Sequence, residues 1–529
     1  MRKLLILTVI LLLFCLTALY AQSDYAEKQW YLNTPDSGVA GINLKEAYSF
    51  LEGKPSRPVV VAVLDSGVDT GHEDLQGQFW VNPNEIKDNG IDDDNNGYID
   101  DIHGWNFLGN ANGENLIADS YELIRVYAVY RDKYENCDPD NLNKKERKEY
   151  AYYLELAEKM EEKKSEAAEE GAWITSLYNS FVEAKEPMDD YFGHDNYTMD
   201  DILAIDTEND TISNAVNTFY LFSLLGMDPW SIEETYKDYN NTFTIKFNPD
   251  YDARRLIGDD PLDINDRFYG NNDYGGGTPG HGTSVAGVIA ALRDNEKGIN
   301  GIASNVKIMV IRVVPTADER DKDVALGIRY AVGHGAHIIN CSFGKEYSPQ
   351  KYMVDEAILY AEKNNVLMVH AAGNESQNID HTKSYPTRDI SKGRAVNNFI
   401  EVGASNPTMD KTLVSDFSNY GKKSVDLFAP GLFIMTLSPG NRCSPSSGTS
   451  LAAPVVTGVA ALLWSYYPEL TAPQVREILM ASVTDLKHIP VYIPDGGGVE
   501  QFQELSASGG VVNAYQAVML AEQKTKKGK

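Results

Sequence analysis

Short apolar runs rich in Val, Ile and Leu recur along the chain, and each ends in a loop of small or polar residues. "PVVVAVLDSGVD" at residues 58–69 is the first. "NVKIMVIRVVP", "GAHIINCSFG", "NVLMVHAAGN" and "NFIEVGAS" repeat the form between residues 305 and 405. Their near-continuous hydrophobicity predicts strands buried on both faces. Between them, "DVALGIRYAVGHG" and "QKYMVDEAILYAEKNN" carry helical spacing. This alternation predicts an α/β fold, three-layered, with a mainly parallel sheet covered by helices. Active sites of such sheets gather beyond the carboxyl ends of the strands. Asp65, Asn374 and the Ser342 to Gly344 segment all fall there.

One region breaks the alternation. Residues 108–270 are acidic, rich in Tyr and helical in pattern, as in "NKKERKEYAYYLELAEKMEEKKSEAAEE". With 16 Lys+Arg against 36 Asp+Glu, their net charge of −20 is about two thirds of the chain's −30. The spacing predicts solvated helices joined by i,i+4 pairs. The expected organisation is a leader over 1–21, a first catalytic part over 22–107, this helical insertion over 108–270, a second catalytic part over 271–522 and a basic tail over 523–529.

Charge and composition narrow the function. A sequence pI near 4.7 argues against nucleic acid or an anionic membrane as the main partner. The start, "MRKLLILTVILLLFCLTALYAQS", has two cations, an apolar run and small residues at Ala18 and Ala21. It reads as a secretory signal cut near Ala21, too short and abruptly ended for a membrane span. Bulky Phe14 before Cys15 disfavours a lipid anchor. An exported chain, secreted or held in the periplasm or cell envelope, with no integral membrane span is expected; the oligomeric state stays open. Beyond the leader only Cys137, Cys341 and Cys443 remain, which does not suggest a disulfide framework.

Three short stretches bring together a carboxylate, an imidazole and a hydroxyl. Asp65 ends a strand in "AVLDSGVD", His281 opens a helix in "HGTSVAGVIAAL" and Ser450 opens another in "SGTSLAAP". Locally, Ser450 reads more readily as an N-cap than as a nucleophile, with Pro454 tolerated in the first turn. A hydroxyl becomes a nucleophile only with a base in reach and a third group holding that base. Asn374 in "VHAAGN" adds an amide that, with the Ser450 backbone N–H, would form an oxyanion hole.

On these residues the chain resembles the subtilisin family (subtilases) of serine endopeptidases. "GTSLAAP" and "AAGN" match the family's serine and oxyanion motifs. "DSG" stands where "DTG" is more usual, and "HGTSVAG" where "HGTHVAG" is. "GHEDL", "YGNND", "NCSFG", "SDFSNYG", "DLFAPG" and "GGVVNA" add support. The resemblance covers about residues 26–107 and 271–520. It implies a subtilisin-like fold and hydrolysis of protein or peptide substrates through an acyl-enzyme. Asp65 would be the orienting carboxylate, His281 the general acid/base, Ser450 the nucleophile and Asn374 the oxyanion donor. The backbone of Ser342, Phe343 and Gly344 would pair with an extended substrate. A pseudoprotease that binds peptides without cutting, and an acyl-transfer enzyme passing the acyl group to an amine, remain as alternatives.

"KDNGIDDDNNGYIDDIHGWNF" resembles the first part of an EF-hand loop, with Asp92, Asp94, Asn96, Tyr98 and Asp100 as candidate calcium ligands. His103 stands where the bidentate Glu would be, so a compact calcium loop is expected, completed by Asp101 or another side chain. The remaining histidines form no metal pattern: His72 reads as structural, and His370 as buried and satisfied. Only about 36 residues separate Ala21 from the first strand, so an ordinary pro-domain is not expected. The insertion is expected to pack near the cleft, restricting access or assisting folding. Glycine at the rim and Phe343 suggest apolar or aromatic side chains before the scissile bond, and the acidic insertion would attract basic substrates.

Overall fold

The structure, a computed structural model, describes residues 29–224, 227, 229–390 and 393–527. The leader read over 1–21 and the last two residues of the tail lie outside these. Among the described residues, the largest sheet has nine strands in the order β10-β11-β7-β6-β5-β4-β1-β3-β2. They are β1 (Val59–Asp65), β2 (Gly104–Asn106), β3 (Val306–Arg312), β4 (Ile338–Cys341), β5 (Leu367–Ala371), β6 (Phe399–Ser405), β7 (Leu427–Pro430), β10 (Thr484–Asp485) and β11 (Gly510–Val511). All neighbours are parallel except β10 with β11. β8 (Ile434–Ser438) and β9 (Arg442–Ser446) form a separate antiparallel hairpin.

The hydrophobic alternation predicted this core. Every side chain of β4, β5, β6 and β7 is buried. Two apolar clusters, one per face, contain Val61, Val63 and Ile308 on one side and Ala62, Leu64 and Met309 on the other. This is the period-two alternation of side chains across a sheet.

The chain leaves the sheet after β2. The insertion carries α1 (Glu122–Tyr134), the 49-residue α2 (Lys144–Phe192), α3 (Asp210–Leu224) and α4 (Ile232–Asn240). Its helices hold i,i+4 pairs such as Lys185–Asp189 and Lys237–Glu233. A small core of its own gathers Phe181, Met188, Tyr197, Phe219 and Phe222. The chain then returns through α5 (Gly280–Ala290), α6 (Asp321–Gly333), α7 (Lys351–Lys363) and α8 (Thr449–Tyr466). Among the described residues α8 alone is long and apolar enough to cross a membrane, and 89% of it is buried inside the fold.

Ion pairs stitch the roots of the insertion to the body. Glu122 takes Lys345 Nζ at 2.8 Å and Arg125 at 2.7 Å; Asp119 takes Arg320 at 2.6 Å; Asp259 takes Lys322 at 2.8 Å. Arg254 pairs with Asp323. Both partners of the Lys345, Lys322 and Arg254 pairs are almost fully buried. Burial pushes the Glu122 carboxyl up, but Arg125 and Lys345 outweigh it and hold the group at about 2.

Candidate active site

The site lies where β1, β4 and β5 end and where α5 and α8 begin. Asp65 is the last residue of β1 and is 1% exposed. Its Oδ1 accepts from the Ser66 N–H and from His281 Nδ1, both at 2.7 Å. Gly282 makes this approach possible: a Cβ there would lie 2.1 Å from the Gly67 carbonyl oxygen and 3.2 Å from the Asp65 Cβ. His281 is the second residue of α5, with a side chain 43% exposed. Partial loss of water around the ring pushes its pKa down, yet the Asp65 carboxylate and its hydrogen bond prevail and hold it above the usual histidine value.

Ser450 is not the helix cap. α8 starts at Thr449 with Gly448 in the cap position, so Ser450 is the second helical residue. Pro454 is the sixth, beyond the turn where its missing N–H would cost nothing. The Ser450 carbonyl that a residue-454 N–H would have bonded accepts instead from Ser342 Oγ at 2.8 Å. Ser342 Oγ in turn accepts from Asn340 Nδ2, and Asn340 Oδ1 from Thr457 Oγ1.

Thr449 fixes Asn374. Its N–H and Oγ1 both donate to Asn374 Oδ1, at 2.9 and 3.0 Å, leaving the Nδ2 end of the amide toward the cleft. A Cβ on Gly448 would sit 2.9 Å from Ser450 Oγ and 3.6 Å from Asn374 Nδ2, so both groups face one small space. Among the described residues no hydrogen bond joins Ser450 Oγ to His281. The structure therefore brings Asp65 to His281 and Asn374 to Ser450, with the two pairs on adjacent helix starts.

The Subtilase family model matches residues 56–499. The chain belongs to the subtilase family. It is 35% identical over 250 residues to the cell wall-associated protease of Bacillus subtilis (strain 168), a stretch covering 47% of this chain and 26% of that protein. It is 34% identical over 223 residues to subtilisin DY of Bacillus licheniformis, covering 41% of this chain and 76% of that one. The family is one of serine peptidases, and the parallel sheet is its subtilisin-like α/β fold.

In this subtilase, Ser342 to Gly344 follow β4, and the chain pairs again at Lys345, whose N–H and carbonyl bond Tyr385. Gly344 lines a cavity of about 350 Å³ with Glu375 and Ser384, and Glu166 and Glu170 of α2 belong to the same lining. Phe343 lies edge-on to His370, 6.4 Å between centroids. His370 is fully buried but half satisfied: Nδ1 bonds Glu401 at 2.7 Å, while Nε2 has no hydrogen-bond partner. His72 has a local role, its Nδ1 accepting from the Asp74 N–H at 3.2 Å. Ser284, the departure in "HGTSVAG", donates to the Leu437 carbonyl and so ties α5 to the β8–β9 hairpin.

The acidic loop groups differently from its reading in the sequence. Glu85, Asp92 and Asp94 bring carboxylate oxygens within 4.8 Å of one another. Asp100 turns away to accept from the N–H groups of Asn89 and Gly90. Asn96 Oδ1 caps the Tyr98 N–H, and the Tyr98 ring packs on Trp105 and Tyr330. Asp101, fully buried, accepts from Asn82, Asn96 and the Tyr330 hydroxyl. Burial chiefly, with help from Asp101 and Asp94, raises the Glu85 pKa.

Sequence reasoning missed Glu85, Thr449 and Asn419. Asn419 holds the Asn374 loop, accepting from the Glu375 and Gln377 N–H groups and donating to the Ala372 carbonyl. Both Thr449 and Asn419 sat inside motifs already singled out, "GTSLAAP" and "SDFSNYG", but only contacts reveal what they hold.

Proposed function

We propose that this subtilase hydrolyses peptide bonds with Ser450 as nucleophile, His281 as general base and then acid, and Asp65 holding the imidazole. The observation that carries this reading is the 2.7 Å contact between His281 Nδ1 and a buried Asp65 oxygen. It fixes the tautomer with Nε2 free to take the serine proton, and favours the imidazolium that forms. The tetrahedral oxyanion would be met by Asn374 Nδ2 and the Ser450 N–H at the start of α8, where backbone donors are unpaired. An extended substrate would add a strand along Ser342 to Gly344. Export through the N-terminal leader belongs to the same reading.

Labelling with a fluorophosphonate tests it. Wild type should be labelled and Ser450→Ala should not; a folded wild type that stays unlabelled would leave only peptide binding. Products formed with an added amine distinguish hydrolysis from acyl transfer. We also propose structural calcium held by Glu85, Asp92 and Asp94, an all-oxygen set suited to that ion. Calcium should raise Tm in wild type and not in Asp92→Asn. Saturation to about 100 times Kd is worth about 2.7 kcal/mol; an equal Tm with calcium and with chelator would remove the assignment.

A further inference from the structure

A second cavity, of about 610 Å³, opens on the other side of the reaction centre. His281 and Ser284 form its inner end, the β8–β9 hairpin contributes Phe433, Pro439 and Pro445, and the insertion contributes Trp230 and Thr235. None of Ser342 to Gly344 or Asn374 lines it. If His281 protonates the leaving amine, the chain that departs lies on the His281 side. That places this cavity around the residues following the scissile bond, opposite the one lined by Gly344.

The lining sets the ligand class. Several hydroxyls are engaged: Ser284 donates to the Leu437 carbonyl at 2.9 Å, and Ser438 and Ser444 bond each other at 2.5 Å. Asp238 and Arg442 bring charge to the lining, and each has one buried atom, Oδ1 and Nε, without a hydrogen-bond partner. Asp238 pairs with Lys246, and the Arg442 guanidinium lies 5.3 Å from the centre of the Trp230 ring. Beside them the lining carries the Trp230 indole, the Phe433 ring and two prolines, apolar surface that an aromatic or long apolar side chain can cover.

We infer that the insertion builds the outer wall of a subsite for an aromatic or long apolar side chain just after the scissile bond. The inference rests on the reaction centre proposed above. On this reading the insertion is a specificity element that contacts substrate, rather than only a shield over the cleft. Because its wall rides on the segment 229–240, selectivity on the leaving side is set by sequence far from the catalytic motifs.

The test compares internally quenched peptides differing only in having Phe or Gly at the first or second position after the cleaved bond. A peptidyl nitroanilide, which has no residues there, reports the reaction centre separately. Wild type should favour Phe over Gly by at least about tenfold in kcat/KM, the lower end of what an apolar pocket yields. That ratio should fall toward one in Trp230→Ala. Thr235→Trp, at an exposed position on the same wall, should also lower it by filling the space without touching the core. A wild-type ratio near one at both positions, with the anilide hydrolysed normally, would overturn the inference and leave the reaction centre intact. So would a ratio unchanged in both variants. No anilide hydrolysis and no fluorophosphonate labelling in folded wild type would overturn the reaction centre, and the inference with it.

Discussion

The α/β body and the acidic insertion solve the problem of burial in opposite ways. The body buries continuous apolar strands and one helix, α8, that is almost wholly inside. The insertion has smaller apolar clusters and is fastened to the body through charge as well: Asp119, Glu122 and Asp259 on its side meet Arg320, Lys345 and Lys322 on the other. A net charge of −20 thus divides into a solvated exterior and a few carboxylates that act as fasteners. Apolar burial is non-directional and tolerates substitution of similar volume. Buried ion pairs demand their exact partners, and removal of one leaves an uncompensated charge.

The largest effects should come from the body. Asp65→Asn should lower kcat on the order of 10⁴-fold, the scale found when the carboxylate of such a triad is replaced. Wild-type activity should rise with pH as His281 loses its proton, with a midpoint above the ordinary histidine value. A pH–rate profile that is flat from pH 5 to 9 would argue against His281 as the base. Asn374→Ala should cost on the order of 10²–10³ in kcat, the loss associated with one oxyanion donor in a subtilisin, with KM little changed.

The seam comes next. Lys345→Met removes the cation shared by Glu122 and Asp321 and should cost about 3–5 kcal/mol. Lys345 also follows Gly344, so KM for peptides should rise along with the loss in Tm. A Tm within 1–2 °C of wild type, well below the shift that so many kcal/mol imply, would show that the pair is not a fastener. Glu122, held at about 2, stabilises the fold fully above its unfolded pKa near 4.5 and loses that contribution as pH falls between the two values. The seam should therefore loosen at acid pH, seen as cleavage of the insertion by an added acid protease.

The smallest effect is expected at Glu319. Burial, with Asp318 and Asp321 nearby, raises its pKa from 4.5 to about 7 against the pull of Lys345. Its folded form holds a proton that the unfolded chain releases from pH 4.5 upward, so it lowers stability progressively up to pH 7. Glu319→Gln should match wild type at pH 4 and melt higher at pH 8, a difference absent if the carboxyl ionises normally in the fold.

The same contrast decides what could be read from the sequence. The strands were legible because burial of a parallel sheet on both faces leaves unbroken apolar runs, and β1, β3, β4, β5 and β6 fall inside the quoted stretches. Helices α6 and α7 were legible from their spacing. The start of α8 was not: Ser450 looked like a cap, but Gly448 takes that position and Thr449 uses its N–H and hydroxyl on Asn374. The loop around Asp92 showed its acids but not their grouping, because Glu85 arrives from seven residues upstream and Asp100 is claimed by a neighbouring turn. For the insertion, helical character was visible, while the contact of Trp230 with the hairpin residue Arg442 lies 212 positions away in sequence. Local patterns reveal elements; long-range polar and aromatic contacts need the fold.

Pro454 gives the body a linkage of its own. A proline past the first turn of α8 leaves the Ser450 carbonyl unclaimed, and Ser342 answers it from the strand side. The residue proposed to attack and the residue that begins the segment proposed to pair with substrate therefore share one oxygen. Anything that displaces that segment sideways must either carry the start of α8 with it or abandon the shared contact. Under the proposed mechanism, substrate alignment and nucleophile alignment become a single mechanical degree of freedom, created by an absent hydrogen.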